Sequence, residues 1–210
     1  MIQSLARFFI SGGLFMWPIL VVLAFAMAVV VERFYFYFRV CGRKGLPSAP
    51  DLIRLMNNND IEGASKALEK GRDPLTNLLK SAVSRVKAGM TVAEVEEGVQ
   101  ESAIRELPRM NERLNYLSLF ANIATLLGLL GTLAGLQSSF SSLAAVEASK
   151  KATLLAQGIA EAMNCTAFGL IVAVPCMICY TFFYNRQNAL TKDLDESLVR
   201  FMNYLRKKQA

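Results

Sequence analysis

The sequence lacks histidine altogether and has only four cysteines among its 210 residues. Without an imidazole, the chain cannot form a His-based metal site or a Ser–His–Asp triad. Cys165, Cys176 and Cys179 fall in one apolar segment and the fourth cysteine is Cys41, so a disulfide framework is not expected. We interpret Cys176 and Cys179 as packing residues of a lipid-embedded helix rather than as a redox or metal pair. We therefore expect no metal, no cofactor and no enzyme activity.

Charged residues are absent from two long windows of the sequence and nearly absent from a third. The windows are residues 8–31, 114–146 and 152–185, and only the third contains a charge, that of Glu161. Each window is longer than the ~20 residues that an α-helix needs to cross a ~30 Å hydrocarbon core. No convincing β pattern or internal repeat accompanies them. The sequence therefore predicts an all-α membrane protein with three transmembrane helices, a small helical cytoplasmic domain and long helices that extend into the cytoplasm.

Basic residues are distributed unevenly around these windows. Lys and Arg number 14 in residues 32–116 and 6 in residues 184–210, but only 1 in residues 1–31 and 2 in residues 144–156. The positive-inside rule then places the middle segment and the C-terminal tail in the cytoplasm and the N-terminus outside. Residues 32–116 also carry 12 acidic residues, so the net charge of +6 does not indicate nucleic-acid binding.

The predicted organisation has six parts. In chain order they are the outer N-terminus with the first span (1–38), the cytoplasmic helical domain (39–113), the second span (114–143), a short outer loop (144–152), the third span (153–184) and a cytoplasmic C-terminal helix (185–210). Glu32 and Arg33, followed by an aromatic run, favour an uncleaved first span over a signal peptide.

Short amphipathic helices are predicted between the first two spans. A helical pair is divided by the polar run 57–60, and another helix begins after Asp73. Thr91, with a glutamate three residues later, forms a capping-box pattern that opens the next helix. We expect that helix to run through Arg113 directly into the second span, with Pro108 as the candidate for a kink.

Small and hydroxylated residues recur at helical spacing in the second and third spans. In the second span they occupy one face, opposite Leu and Ile: Ala121, Thr125, Gly128, Thr132, Gly135 and Ser139. The third span repeats the pattern, with Thr166 beside it: Gly158, Ala162, Cys165, Gly169, Ala173 and Cys176. Small residues let helix backbones approach closely in lipid, so each stripe is explained either by static packing or by the wall of a pathway. Pro175 is tolerated in the third span if neighbouring helices satisfy the carbonyl that it leaves free.

Glu161 is the only acidic residue placed well inside an apolar window. An ionised carboxylate costs roughly 2.5–3.5 kcal/mol at a bilayer centre, so an acid in a span indicates a functional site by default. The alternative is that Glu161 lies near the headgroups and only solvates a helix end. Together with the two threonine-bearing stripes, it favours an ion pathway formed by Thr132, Glu161 and Thr166.

Three stretches of the sequence resemble the MotA/TolQ/ExbB proton-channel family, and specifically its three-span ExbB/TolQ branch. They are WPILVVLAFAMAVVVERF (17–34), NIATLLGLLGTLAGL (122–136) and GIAEAMNCTAFGLIVAVP (158–175). In this resemblance Thr132 corresponds to the threonine of a G-L-x-G-T motif. Glu161 and Thr166 correspond to the glutamate and the threonine of G-I-A-E-A-L-x-x-T-A. Family members often have proline where this chain has Thr125, and leucine-alanine where it has Asn164-Cys165.

The resemblance implies a homopentameric ring in the bacterial inner membrane, in which the second and third spans line a central lumen. The lumen would enclose the single-span helices of a partner similar to ExbD or TolR, whose membrane aspartate carries the ion. Ion flow would turn the ring relative to the partner and drive an envelope process such as TonB-dependent import. Thr132 and Thr166 are then expected to face the lumen at similar depth, with Glu161 about one and a half turns nearer the outside. The downstream process and the choice between proton and sodium stay open.

Two other classes of protein are compatible with the sequence. A structural membrane scaffold would need only the small-residue stripes. A secondary transporter is disfavoured, because three helices without an inverted repeat do not form a substrate cavity unless they oligomerise.

Overall fold

The computed structural model describes residues 8–9, 11–40, 49–58, 60–69, 71, 73–143 and 146–209. These residues form helices and turns and contain no strand, so the all-α fold is confirmed. The chain divides into two compact units. We call Met1–Val31 with Arg113–Phe182 the membrane unit, and Glu32–Glu112 with Phe183–Ala210 the polar unit. Cys41 and Asn59, which the sequence analysis considered, lie outside the described residues.

Seven α-helices have bounds within the described ranges, and Phe8, Phe9 and Ser11 before them are also helical. The seven are α1 (Met16–Tyr35), α2 (Ala49–Asn57), α3 (Ile61–Glu69), α4 (Pro74–Lys87), α5 (Val92–Asn111), α6 (Leu114–Ser142) and α7 (Ala148–Gln209). A π-helical turn, Phe36–Val40, continues α1. Three helical stretches, Met16–Arg39, Val92–Ser142 and Ala148–Lys208, are long and apolar enough to cross a membrane. The chain is therefore a multi-pass membrane protein, and the prediction of three spans is confirmed.

The core of the membrane unit consists mainly of small side chains. Ala121 and Ala124 of α6 are buried with Cys165 and Ala173 of α7, and Ile19 of α1 packs against them. Several large apolar residues of α6 point the other way: Leu126, Leu129 and Leu133 are between 53% and 63% exposed. Such a face is stable in a bilayer because acyl chains are as apolar as leucine. The distribution therefore suits a lipid environment.

The polar unit has a hydrophobic core to which α2–α5 and the C-terminal part of α7 contribute. Leu52, Leu79 and Phe201 are fully buried in it. Along α7 the buried residues Leu194, Phe201 and Leu205 recur at helical spacing and lie on one face. The prediction that the third long helix continues through the C-terminal tail is confirmed. α7 begins at Ala148, whereas the sequence analysis started the third span at residue 153.

The connection between α5 and α6 differs from the sequence prediction. α5 ends at Asn111 and α6 begins at Leu114, and Arg113 between them adopts a left-handed backbone with a φ of 59°. The expectation of one continuous helix through Arg113 is therefore wrong. Pro108 lies inside α5, and the interruption comes at residues 112–113 instead.

Side chains from the end of α1 and from the π-helical turn bind carbonyl groups at the end of α5. The last four carbonyls of an α-helix have no donor within the helix. The buried Tyr37 hydroxyl donates to the Met110 carbonyl at 2.7 Å, and the Arg33 guanidinium donates to the Arg109 carbonyl at 3.4 Å. These bonds supply donors to two carbonyls of the last turn of α5. They join residues more than 70 positions apart, so the local pattern of α5 does not encode them.

α5 begins with a capping box, as the sequence predicts. The Thr91 side chain accepts a hydrogen bond from the Glu94 backbone N–H at 3.4 Å, and the Glu94 carboxylate accepts one from the Thr91 backbone N–H at 2.7 Å. The hydrogen bonds from the backbone and then the hydroxyl of Thr91 lower the pKa of the Glu94 carboxyl below its ordinary value. Because the folded pKa is lowered, the stabilisation is present above the unfolded pKa and is lost as the pH falls through the folded pKa.

Replacing Thr91 with Ala should lower the free energy of unfolding by about 1 kcal/mol, because a helix N–H loses its acceptor. Thr91→Ser keeps the hydroxyl and is the matched control. The measurement is denaturation of the purified full-length protein in detergent, at neutral pH and at a pH below the Glu94 pKa. The difference between wild type and Thr91→Ala should shrink at the lower pH. Equal stability at neutral pH would contradict the role of the cap.

Candidate functional site

The two predicted stripes face each other along α6 and α7. A Cβ added to Gly128 would lie 3.2 Å from the Thr166 Cα and 3.5 Å from the Gly169 Cα. A Cβ added to Gly135 would lie 3.2 Å from the Ala162 Cβ. The contact pairs advance along α6 as they retreat along α7, so the two helices are antiparallel. Glycine at these positions lets the two helix backbones approach each other closely.

The closest backbone approach is at Gly169. A Cβ added there would lie 2.7 Å from the Ala124 carbonyl oxygen, a backbone atom that cannot rotate away. At another point of the stripe, a Cβ added to Gly158 would overlap the Ser139 hydroxyl, which donates within α6 to the Gly135 carbonyl at 2.8 Å. The packing function of the stripes is therefore visible at several of the predicted positions.

The three predicted threonines use their hydroxyl hydrogens in two ways. Thr166 donates to the Gly128 carbonyl at 3.0 Å, so this bond joins α7 to α6. Thr132 donates at 2.6 Å to the carbonyl three residues earlier in α6, and Thr125 donates at 3.0 Å to the carbonyl four residues earlier. Each hydroxyl oxygen still has lone pairs that can accept a hydrogen bond or contact a cation.

Thr132 and Thr166 lie within about one helical turn of each other along the α6–α7 pair. A Cβ added to Gly131 would lie 3.1 Å from the Cys165 Cβ, which puts the two threonines about 3 Å apart along the axis. A Cβ added to Gly128 would lie 3.2 Å from the Thr166 Cα, which puts them about 6 Å apart. Both are half-buried in the single chain. That they face a lumen stays a prediction.

Glu161 lies five residues before Thr166 on α7, about 7.5 Å away along the axis. Its side chain is exposed in the single chain. A Cβ added to Gly13 would overlap the Glu161 Oε1 and would lie 3.3 Å from its Cδ, so the carboxylate lies against the turn that precedes α1. Asn164 of α7 donates to the Ser11 hydroxyl at 3.0 Å. The sequence analysis noted Asn164 as unusually polar but missed Gly13 and Ser11, because a Gly-Gly pair predicts a turn and not what the turn contacts.

Pro175 and the cysteine pair are built into α7. Pro175 is exposed, and the helix continues past it without interruption to Gln209. Cys176 is buried in the core of the membrane unit and Cys179 is partly buried, and both thiols are free. Within the described ranges, no group of three or more Cys, Asp or Glu residues could hold a metal ion.

Residues 70–196 match the model of the MotA/TolQ/ExbB proton channel family, and they include all of α6 and most of α7. The chain belongs to this family. It is 28% identical to the putative biopolymer transport protein ExbB-like 3 of Synechocystis sp., over 87% of this chain and 88% of that relative. It is 27% identical to the Tol-Pal system protein TolQ of Haemophilus influenzae over 72% of both chains, and 26% identical to the biopolymer transport protein exbB1 of Vibrio cholerae over 83% of this chain and 77% of that relative. The predicted resemblance to the ExbB/TolQ branch is thereby confirmed.

Replacing Gly169 with Ala should destabilise the protein by about 1–3 kcal/mol, because the new methyl group meets the backbone of α6 and forces the helices apart. Gly135→Ala is the matched control, since there the nearest neighbour is a side-chain Cβ at 3.2 Å. The measurement is the thermal unfolding midpoint of both purified variants in the same detergent. Equal midpoints would contradict the assignment of Gly169 as the tightest contact.

Proposed function

We propose that this chain is the channel and motor subunit of a bacterial inner-membrane complex that converts proton motive force into mechanical work. The observation that carries the proposal is the arrangement on α6 and α7. The hydroxyls of Thr132 and Thr166 lie within about one helical turn of each other on a tightly packed helix pair, and the Glu161 carboxylate lies on α7 five residues before Thr166. We call the hydroxyls of Thr132 and Thr166 the polar belt. A polar belt with an acid near it on a membrane helix suits a path along which a cation is transferred without being trapped.

The energy available to such a path is sufficient for repeated work. A membrane potential supplies about 2.3 kcal/mol per elementary charge per 100 mV. Hydroxyl oxygens lower the barrier for a passing cation, and the Glu161 carboxylate attracts cations to one end of the belt. The route needs no metal or cofactor, because the membrane potential supplies the driving force and the side chains only shape the barrier.

The proposed assembly is a homo-oligomer, with five copies expected from the family. A single chain leaves the Glu161 side chain exposed and Thr132 and Thr166 only half-buried, and polar groups that face lipid are costly, the carboxylate above all. Neighbouring copies and a single-span partner similar to ExbD or TolR, with an aspartate in its span, would enclose these groups. The partner's aspartate would carry the ion. The relatives named for biopolymer transport and for the Tol-Pal system support an envelope process such as TonB-dependent import as the work performed.

A structural scaffold is the second candidate function. It is favoured by one observation: Thr125, Thr132 and Thr166 all donate their hydroxyl hydrogens to backbone carbonyls. Such bonds explain threonine on these stripes without any ion. The two functions differ in what the complex does when the hydroxyls are removed.

Thr132→Val and Thr166→Val should leave the complex assembled and abolish most of its ion-driven work, because valine keeps the shape but not the hydroxyl. Glu161→Gln should also spare assembly and impair activity. Thr181→Val is the matched control, since Thr181 makes a comparable bond within α7, to Met177, but lies outside the stripe. The measurement is complex yield and proton-motive-force-dependent activity of the four variants. Full activity in both stripe variants would remove the two hydroxyls from the ion pathway and leave helix packing as the explanation for both threonines.

The orientation also belongs to the proposal: the N-terminus lies outside, and residues 39–113 and 185–210 lie in the cytoplasm. Two exposed lysines allow a matched test in a background without the native cysteines. Lys150→Cys should react with a membrane-impermeant maleimide added to spheroplasts, and Lys80→Cys should react only after the inner membrane is permeabilised. The reverse pattern would show the opposite topology.

A further inference from the structure

The short segment before α1 lies along α7. Three contacts join them: the Phe9 ring meets the Phe168 ring edge-on at 5.8 Å, Asn164 donates to the Ser11 hydroxyl at 3.0 Å, and the Gly13 backbone meets the Glu161 carboxylate. On α7 the contacted residues are 161, 164 and 168, a spacing that places them on one helical face. The segment is therefore docked at three successive points.

The turn that reverses the segment into α1 is held by its own contacts. The Phe9 ring packs edge-on against Trp17 of α1 at 5.2 Å, so the segment folds back beside that helix. Gly12 is buried, and a Cβ added there would overlap the Met16 side chain, which is also fully buried. Together with the Asn164–Ser11 bond, these contacts fix where Gly13 stands relative to α7.

Gly13 has two independent reasons to be glycine. Its φ of +76° lies in the left-handed region, and the place of its missing Cβ is taken by the Glu161 carboxylate. Gly89 shares only the first reason: its φ is +75°, but a Cβ added there would meet nothing within 4 Å. A side chain at Gly89 therefore introduces the same backbone strain without a neighbour to displace.

We propose that Gly13 is a positioning residue for Glu161: the carboxylate occupies the place where a Cβ of residue 13 would stand, and the turn thereby fixes where on α7 the acid presents its charge to the ion. This inference rests on the proposed function for the role of the charge, but the contact itself does not. The displaced atom is the end of a flexible side chain and not backbone. A side chain at Gly13 therefore moves the carboxylate and leaves the packing of α6 and α7 in place.

The test compares Gly13→Ala and Gly13→Asn with Gly89→Ala and Gly89→Asn in the full-length complex. Asparagine tolerates a positive φ better than alanine, so the asparagine pair reduces the contribution of backbone strain. The first readout is the rate at which a hydrophobic carbodiimide modifies Glu161, followed by mass spectrometry of the peptide, with Glu161→Gln as the blank. The second is ion-driven activity, including the Gly13→Ala/Glu161→Gln double variant.

Both Gly13 variants should change the labelling rate at least threefold, with a rise expected as the carboxylate leaves the turn, and both Gly89 variants should match wild type. Gly13→Ala should lose activity, and the double variant should be no worse than Glu161→Gln alone. The proposal is overturned if the labelling rate is unchanged in the Gly13 variants, or changes equally in the Gly89 variants. It is also overturned if neither Gly13 variant can be purified while the Gly89 variants can, since the Cβ then disrupts the fold itself.

The two readouts separate this proposal from the proposed function. If the Gly13 variants alter the labelling of Glu161 but Glu161→Gln is fully active, the contact between Gly13 and Glu161 stands. Glu161 then has no role in ion transfer, which counts against the proposed ion pathway. If the Gly13 variants leave the labelling of Glu161 unaltered but Glu161→Gln is inactive, the ion pathway stands and Gly13 has no part in it.

Discussion

The membrane unit depends on the direct contact between the backbones of α6 and α7. Lipid tails are as apolar as leucine, so two helices in a bilayer gain little from burying large side chains against each other. The stabilisation of such a pair comes from close packing, and close packing requires small side chains, or none, at the contact. Gly128 and Gly169 meet this requirement. At Gly169 an added Cβ would lie only 2.7 Å from the Ala124 carbonyl oxygen, so any side chain there would collide with the backbone of α6.

That contact also determines what polar groups can do. When two backbones come this close, a side chain of one helix can reach a carbonyl of the other, as Thr166 reaches Gly128 at 3.0 Å. The carbonyl keeps its place in the helix and accepts a second bond, so the hydroxyl is satisfied without loosening the pair. A larger residue at Gly128 would push α7 outward and remove this bond. The Thr166 bond is therefore a consequence of the glycine stripe, whereas the Thr132 bond lies within α6.

The features that the sequence predicts correctly are periodic or local. The three spans follow from uninterrupted apolar length, and the cap of α5 follows from Thr91 and a glutamate three residues later. The features that it misses depend on contacts between distant residues. The end of α5 at Asn111 is accompanied by donors from Tyr37 and Arg33, and the docking of the Gly12–Gly13 turn depends on α7 residues about 150 positions away. No local pattern specifies which carbonyl or carboxylate such groups will meet.

Glu161 separates the two candidate functions more sharply than the threonines do. In a scaffold, threonine hydroxyls that bind backbone carbonyls are sufficient, and a stripe of alanine and glycine would pack as closely without an acid. An ionised carboxylate in a membrane span carries a cost of up to roughly 2.5–3.5 kcal/mol at the bilayer centre and less nearer the surface, and a scaffold gains nothing by accepting it. A channel recovers that cost, because the same charge stabilises a cation at the point where it leaves water. The turn docked beside Glu161 also favours a channel over a scaffold, since holding a carboxylate in one place matters only if its charge acts on something at that place.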